Sequence, residues 1–149
     1  MKKSIMQNWF LPIGLLAVVL FTSGWSLAKP YRITLHVDQK TTLSQPGIAN
    51  VTLRLVVHNV SGRPLSIELR NPPVVFEVYQ AGKRIYLSTE GHFYTQVISY
   101  REIAAGQQLE ITDMVQLEPG MYEAKATLRM KGKSKWIQKT MSTFFEVHL

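Results

Sequence analysis

Four histidines, His36, His58, His92 and His148, are the side chains best suited to acid–base or metal chemistry in this 149-residue chain. No two of them lie at the close spacing that a metal site on one element needs. His36 and His58 fall on the polar phases of two alternating stretches, so a pair meeting across adjacent strands is the one metal arrangement to consider. Cysteine is absent, which removes thiolate nucleophiles, disulfides, cysteine metal sites and a lipid-acceptor thiol together. No G-x-S-x-G elbow, phosphate loop or dinucleotide fingerprint occurs. The ten carboxylates are dispersed and single out no acid–base pair. The expectation is a protein that is not an enzyme and holds no metal or other cofactor.

Binding chemistry is better represented. Lys125, Arg129, Lys131, Lys133, Lys135 and Lys139 form a run of six cations with no acid between Ala124 and Phe145, and Trp136 lies among them. One reading makes this hairpin a contact for an anionic partner such as nucleic acid, glycan or lipid headgroups, anchored by the tryptophan. The other makes the lysines guards of an edge hairpin against strand-to-strand association, the commoner use of edge lysines. The second binding stretch is His92 to Tyr100, rich in the aromatic residues that anchor protein interfaces. Candidate interface residues are therefore Phe93, Tyr94, Tyr100, Lys131, Lys133, Lys135 and Trp136, with a protein partner or an anionic surface as the two alternatives.

Residues 1–28 read as a secretory signal, with Lys2 and Lys3 in front, an apolar run from Phe10 to Phe21, and small residues at Ser26-Leu27-Ala28. The run is 12 residues long and contains Pro12 and Gly14, whereas a membrane-spanning helix needs about 20. Cleavage is expected after Ala28, giving an exported chain, periplasmic or secreted. Its net charge falls from +7 to +5 once Lys2 and Lys3 are removed. Residues 29–149 are expected to form one domain.

The elements that must position the binding residues are strands. Ile33, Leu35 and Val37 alternate with polar neighbours, as do Val51, Leu53, Leu55 and Val57, and side chains alternate faces along a strand. Short strands are expected over Leu65 to Leu69, from Val74, and over Arg84 to Leu87, with Asn71-Pro72-Pro73 dividing the first two because proline cannot donate to a ladder. Ala81-Gly82-Lys83 reads as a hairpin turn. The stretch from Ser88 to Ala105 is the least periodic, and Phe93, Tyr94, Val97, Ile98 and Tyr100 are expected to cover one end of the core. Leu109 and Ile111 lead to a Pro119-Gly120 corner, expected as a type II turn. Tyr122, Ala124, Ala126, Leu128 and Met130 then share one phase of the cleanest strand pattern in the chain, and Trp136 to Leu149 is the last strand.

Turn signals recur about every 8 to 12 residues and no helical period appears, which predicts an all-β, immunoglobulin-like antiparallel sandwich of about seven to nine strands. Tyr122, just past the corner, is placed to bond back to the preceding backbone as a tyrosine corner.

The pieces in this order resemble the BsuPI family of intracellular proteinase inhibitors. The matching residues are Asn59 with Ser61, Phe76 and Val78, Gly82 with Ile85, Tyr86 and Ser88, Phe93 with Gln96, Ala105-Gly106-Gln107, and Pro119-Gly120-Met121-Tyr122 with Ala126 and Leu128. The likeness runs from about Val51 to Met130. It implies an immunoglobulin-like sandwich that acts as a protein-interaction module on a protease, and it assigns no inhibitor contact residue.

Overall fold

The computed structural model of the chain describes residues 29–41, 47–131 and 135–148; the segment expected to be the export signal lies outside them. The strands are β1 (Tyr31–Thr41), β2 (Ala49–Asn59), β3 (Leu65–Gln80), β4 (Lys83–Leu87), β5 (Ile98–Ile103), β6 (Gln108–Leu117), β7 (Gly120–Lys131) and β8 (Trp136–Val147). All pair antiparallel. One sheet has the order β1-β2-β6. The other has β4-β3-β7-β8, with β5 also pairing β3, at the end of that strand away from β4. The chain is thus an all-β, immunoglobulin-like sandwich of two sheets.

Alternation of side chains decides what fills the space between the sheets. Val51, Leu53, Leu55 and Val57 on β2 are fully buried, as are Ala124, Ala126 and Leu128 on β7. Burying each Val or Leu contributes about 1.5–3 kcal/mol. The small Ala126 lies between Phe76 on β3 and Met141 on β8, so the bulk that β7 omits is supplied by its neighbours. Tyr122 stacks on Phe145 with ring centroids 5.6 Å apart. Its hydroxyl donates to the Glu118 carbonyl at 2.8 Å, which is the tyrosine corner.

Asn59 is the one buried polar side chain among the described residues. Its Nδ2 donates to the carbonyls of Arg63, Ile103 and Ala104 at 2.7, 2.9 and 3.2 Å, and its Oδ1 accepts from Ser61 N and Oγ at 3.0 and 2.7 Å. One carboxamide thereby ties the turn after β2 to the turn between β5 and β6, and it supplies a donor to the buried Ile103 carbonyl. This explains why Asn59 and Ser61 occur as a pair.

Two sequence expectations are corrected, and the least periodic stretch is given its structure. Strands expected separately over Leu65 to Leu69 and from Val74 are one strand, β3, because the prolines fall where its pairing with β7 shifts register between Leu69 and Val74. The ladder to β7 is interrupted there, but the strand continues through a bulge. The stretch from Ser88 to Ala105 contains β5, whose burial pattern lacks a regular alternation because it lies at the sheet margin. Finally, Gly120 has φ +156° and opens β7, so the Pro-Gly corner is not a type II turn. A Cβ at Gly120 would come to 3.0 Å from the end of the exposed Gln80 side chain, which can move aside, so the positive φ is what favours glycine there. The hairpin turn at Ala81 and Gly82 is present, with φ of +49° and +76° at the two positions, the signs a type I′ turn requires.

Candidate interaction site on the outer face of the larger sheet

The expected interface residues come from two stretches, and β3 is what relates them. Leu69 and Met130 are buried and pair across β3 and β7, so by alternation Glu68, Arg70 and Lys131 point outward. Tyr100 lies opposite Glu68, and Trp136 lies opposite Lys131. The five positions therefore share the outer face at one end of the larger sheet.

Side-chain contacts hold this arrangement. Lys131 Nζ lies 2.9 Å from Glu68 Oε2, and the hydrogen bond and charge of Glu68 raise the Lys131 pKa above its ordinary value. Arg70 lies over the Trp136 ring, 5.4 Å from its centroid.

The segment 88–97 rises beside this face. Gly91, at φ +74°, closes its first turn, and residues 92–97 follow without regular structure. Both flanks are fixed to the scaffold. On the near side, Ser88 N donates to Phe76 O at 2.9 Å and Tyr94 Oη donates to Ser88 O at 3.3 Å. On the far side, Asn71 donates through its backbone N to Val97 O at 3.0 Å and through Nδ2 to Thr95 O at 3.1 Å. Between them the Phe93 side chain is wholly exposed, at 106%.

Phe93, Tyr94, Val97, Ile98 and Tyr100 are thus exposed residues of a loop and of the outward side of β5, not the cover for one end of the core that the sequence suggested. The core is closed by residues of the other phase, such as Ile103. At the foot of the loop a cleft of about 300 Å³ is lined by Arg70, Asn71, Thr89, Tyr94, Gln96 and Arg129, with Pro72 at its edge.

The cations of the hairpin are divided rather than gathered. Lys125, Arg129 and Lys131 share the outward phase of β7, whereas Lys139 lies opposite the buried Leu128 and so takes the other phase of β8. Lys125 is paired with Glu123 at 3.4 Å and lies over the Tyr79 ring, and Lys131 is held by Glu68. Lys135 is exposed just before β8, and Lys133 lies outside the described residues.

His36 and His58 do not meet. His36 pairs in register with Arg54, and His58 pairs with Arg32, which separates the two imidazoles by four positions, about 13 Å along the strands. Among the described residues no three His, Asp or Glu side chains gather as a metal site.

The profile of BsuPI, described as intracellular proteinase inhibitor, matches residues 35–133, more than half of the chain. The chain belongs to the BsuPI family. No curated protein matches it. Among solved structures, the putative ApaA protein from Bordetella pertussis is similar at 14% identity and a TM-score of 0.51, over 80% of this chain and 94% of that one. That likeness concerns the fold alone. The structural-genomics target SoR45 aligns at 13% identity with a TM-score of 0.48, over 80% and 87% of the two chains. A Bacteroides uniformis beta-glucuronidase aligns over 75% of this chain but only 14% of the enzyme, at 15% identity and a TM-score of 0.41.

In this BsuPI protein the match begins within β1 and ends just past β7, so both the 88–97 loop and Lys131 fall inside it. Sequence reasoning missed Glu68 and Arg70, which join the two stretches. They stand in an ordinary alternating strand and carry no local signal beyond the Asn71-Pro72-Pro73 that follows them.

Proposed function

We propose that this BsuPI protein is an exported, non-enzymatic proteinase inhibitor, and that the 88–97 loop is what it presents to a protease, with Phe93 as the anchoring side chain. The observation that carries the reading is a fully exposed phenylalanine on a loop braced at both flanks, in a chain of a proteinase-inhibitor family. A protease cleft accepts an extended segment, and a segment held in its bound shape before association loses less conformational entropy on binding. The aromatic ring supplies a large apolar contact. Tyr94 and Tyr100 extend the surface beside it. The pairing of Lys125 and Lys131 with carboxylates favours a protein partner over a purely anionic one, since those cations are already neutralised in part.

The test is to incubate the purified protein with a panel of serine, cysteine, aspartic and metalloproteases and to measure residual activity on small substrates. Stoichiometric loss of activity for at least one class, without consumption of the protein, supports the reading. Full activity throughout, or steady cleavage within 88–97, overturns it. Export is tested separately by the intact mass of protein recovered outside the cytoplasm. A chain beginning at Lys29 is expected, and retention of Met1 to Ala28 contradicts cleavage.

A further inference from the structure

We infer that the cleft at the foot of the 88–97 loop binds a phosphate group. Arg70 and Arg129 both line this cleft, and their charges are not offset by an ion pair as those of several other cations are. Arg54 is paired with Asp38 and Glu110, Arg84 with Glu77, Lys125 with Glu123 and Lys131 with Glu68. No carboxylate pairs with Arg70 or Arg129 among the described residues. The Arg129 Nε is buried and has no hydrogen-bond partner among the described residues. That nitrogen is closed off from the cleft, so what Arg129 offers a ligand there is the charge of its guanidinium beside that of Arg70.

The lining gives the class of that ligand. Two guanidinium groups, the Gln96 carboxamide and the Thr89 hydroxyl can all donate, and no carboxylate lines the cleft. Guanidinium matches phosphate oxygens through paired, parallel hydrogen bonds, and two of them on one small cleft favour a dianion over a singly charged group. Contact with Trp136 restricts the Arg70 side chain, so less of its freedom is lost on binding. A cleft of about 300 Å³ with the Tyr94 ring in its wall has room for inorganic phosphate and also for the carbon side of a phosphate monoester. A small anion binds here whether or not a protease docks on Phe93.

The test is an NMR titration of the full chain with sodium phosphate, with glycerol phosphate, and with sodium chloride at equal ionic strength. Saturable shifts at Thr89, Gln96 and the Arg129 Nε–H with either phosphate, absent with chloride, are expected. Tighter binding of glycerol phosphate would identify a monoester as the ligand, and equal or weaker binding would identify the free ion. Arg70→Gln, at an exposed position, and Arg129→Gln should each weaken phosphate affinity about tenfold, the loss of one charge-assisted contact. Identical shifts with chloride, or phosphate affinity unchanged in the Arg70→Gln protein, would overturn the site. The titration of the unsubstituted chain decides the matter even if Arg129→Gln does not fold.

Discussion

Arg70 covers the ring of Trp136 from the neighbouring side of β7, with 5.4 Å between the guanidinium carbon and the ring centroid. This contact spans three strands and links the stretch that carries the aromatic loop to the hairpin that carries the lysines. Neither residue is near the other in sequence, so the link exists only in the folded sheet.

The strength of that link is measurable. A partly exposed cation–π contact contributes about 0.5–1 kcal/mol. A double-mutant cycle of Arg70→Leu and Trp136→Leu, followed by urea denaturation, should return a coupling of that size. Additive effects of the two substitutions would show that the contact contributes nothing to stability.

Asn59 should be the least replaceable polar residue in the fold. Asn59→Ala removes every bond of its carboxamide and leaves the buried Ile103 carbonyl without this donor, whereas Arg63 O retains the Ser61 hydroxyl and Ala104 O retains Gln107 N. The expected loss is about 3 kcal/mol, since each orphaned buried group costs about 1–3 kcal/mol. Ser61→Ala, which removes a single donor to Asn59 Oδ1, should cost about 1 kcal/mol. Equal denaturation midpoints for the two variants would contradict this ranking.

How much of this was legible in the sequence depended on whether the determinant was local. The β7 alternation is a property of consecutive residues, and Tyr122 followed from its place after Pro119-Gly120; its hydroxyl does reach Glu118 O. The family likeness was legible for the same reason, through turn and core residues spread along the chain. What stayed hidden was set by partners distant in sequence. Pro72 and Pro73 do break a ladder, but only the pairing of Leu69 and Val74 with β7 shows that the strand itself continues. The aromatic residues of 93–100 look like core material, and only their placement on a braced loop and an outward strand face shows that they are exposed. Arg70 and Glu68 were silent because their partners, Trp136 and Lys131, lie on other strands.

Alkaline pH should weaken the fold through the partly buried Tyr86 and the buried Tyr122. Burial, and then the hydrogen bond to Asp113 Oδ2 at 2.7 Å, raise the Tyr86 pKa well above its ordinary value. Burial and then the charge of Glu118 raise that of Tyr122. A raised folded-state pKa means that the folded protein holds the proton more tightly. Its stabilising contribution is complete below the unfolded pKa of about 10 and is lost as pH climbs through the folded value. Lys131 shifts in the same direction. Tyr86→Phe should cost about 1.5 kcal/mol at neutral pH, the low end for a bond to a charged group, and should make the fall in stability above pH about 10 shallower. A slope identical to that of the unsubstituted protein would place the titrating groups elsewhere.

Phe93 is the residue on which the proposed protease contact turns. For whichever protease the inhibition panel identifies, the dissociation constant of the full chain should be compared with that of Phe93→Ala, at low and at moderate salt. Because Phe93 is wholly exposed, its removal should leave the denaturation midpoint unchanged while costing about 2 kcal/mol or more of binding, the scale of an interface anchor. That corresponds to a loss of affinity of about thirtyfold, and the loss should be the same at both salt concentrations, since the contact is apolar. Unchanged affinity in Phe93→Ala, with inhibition intact, would contradict the assignment of the 88–97 loop as the protease-binding element.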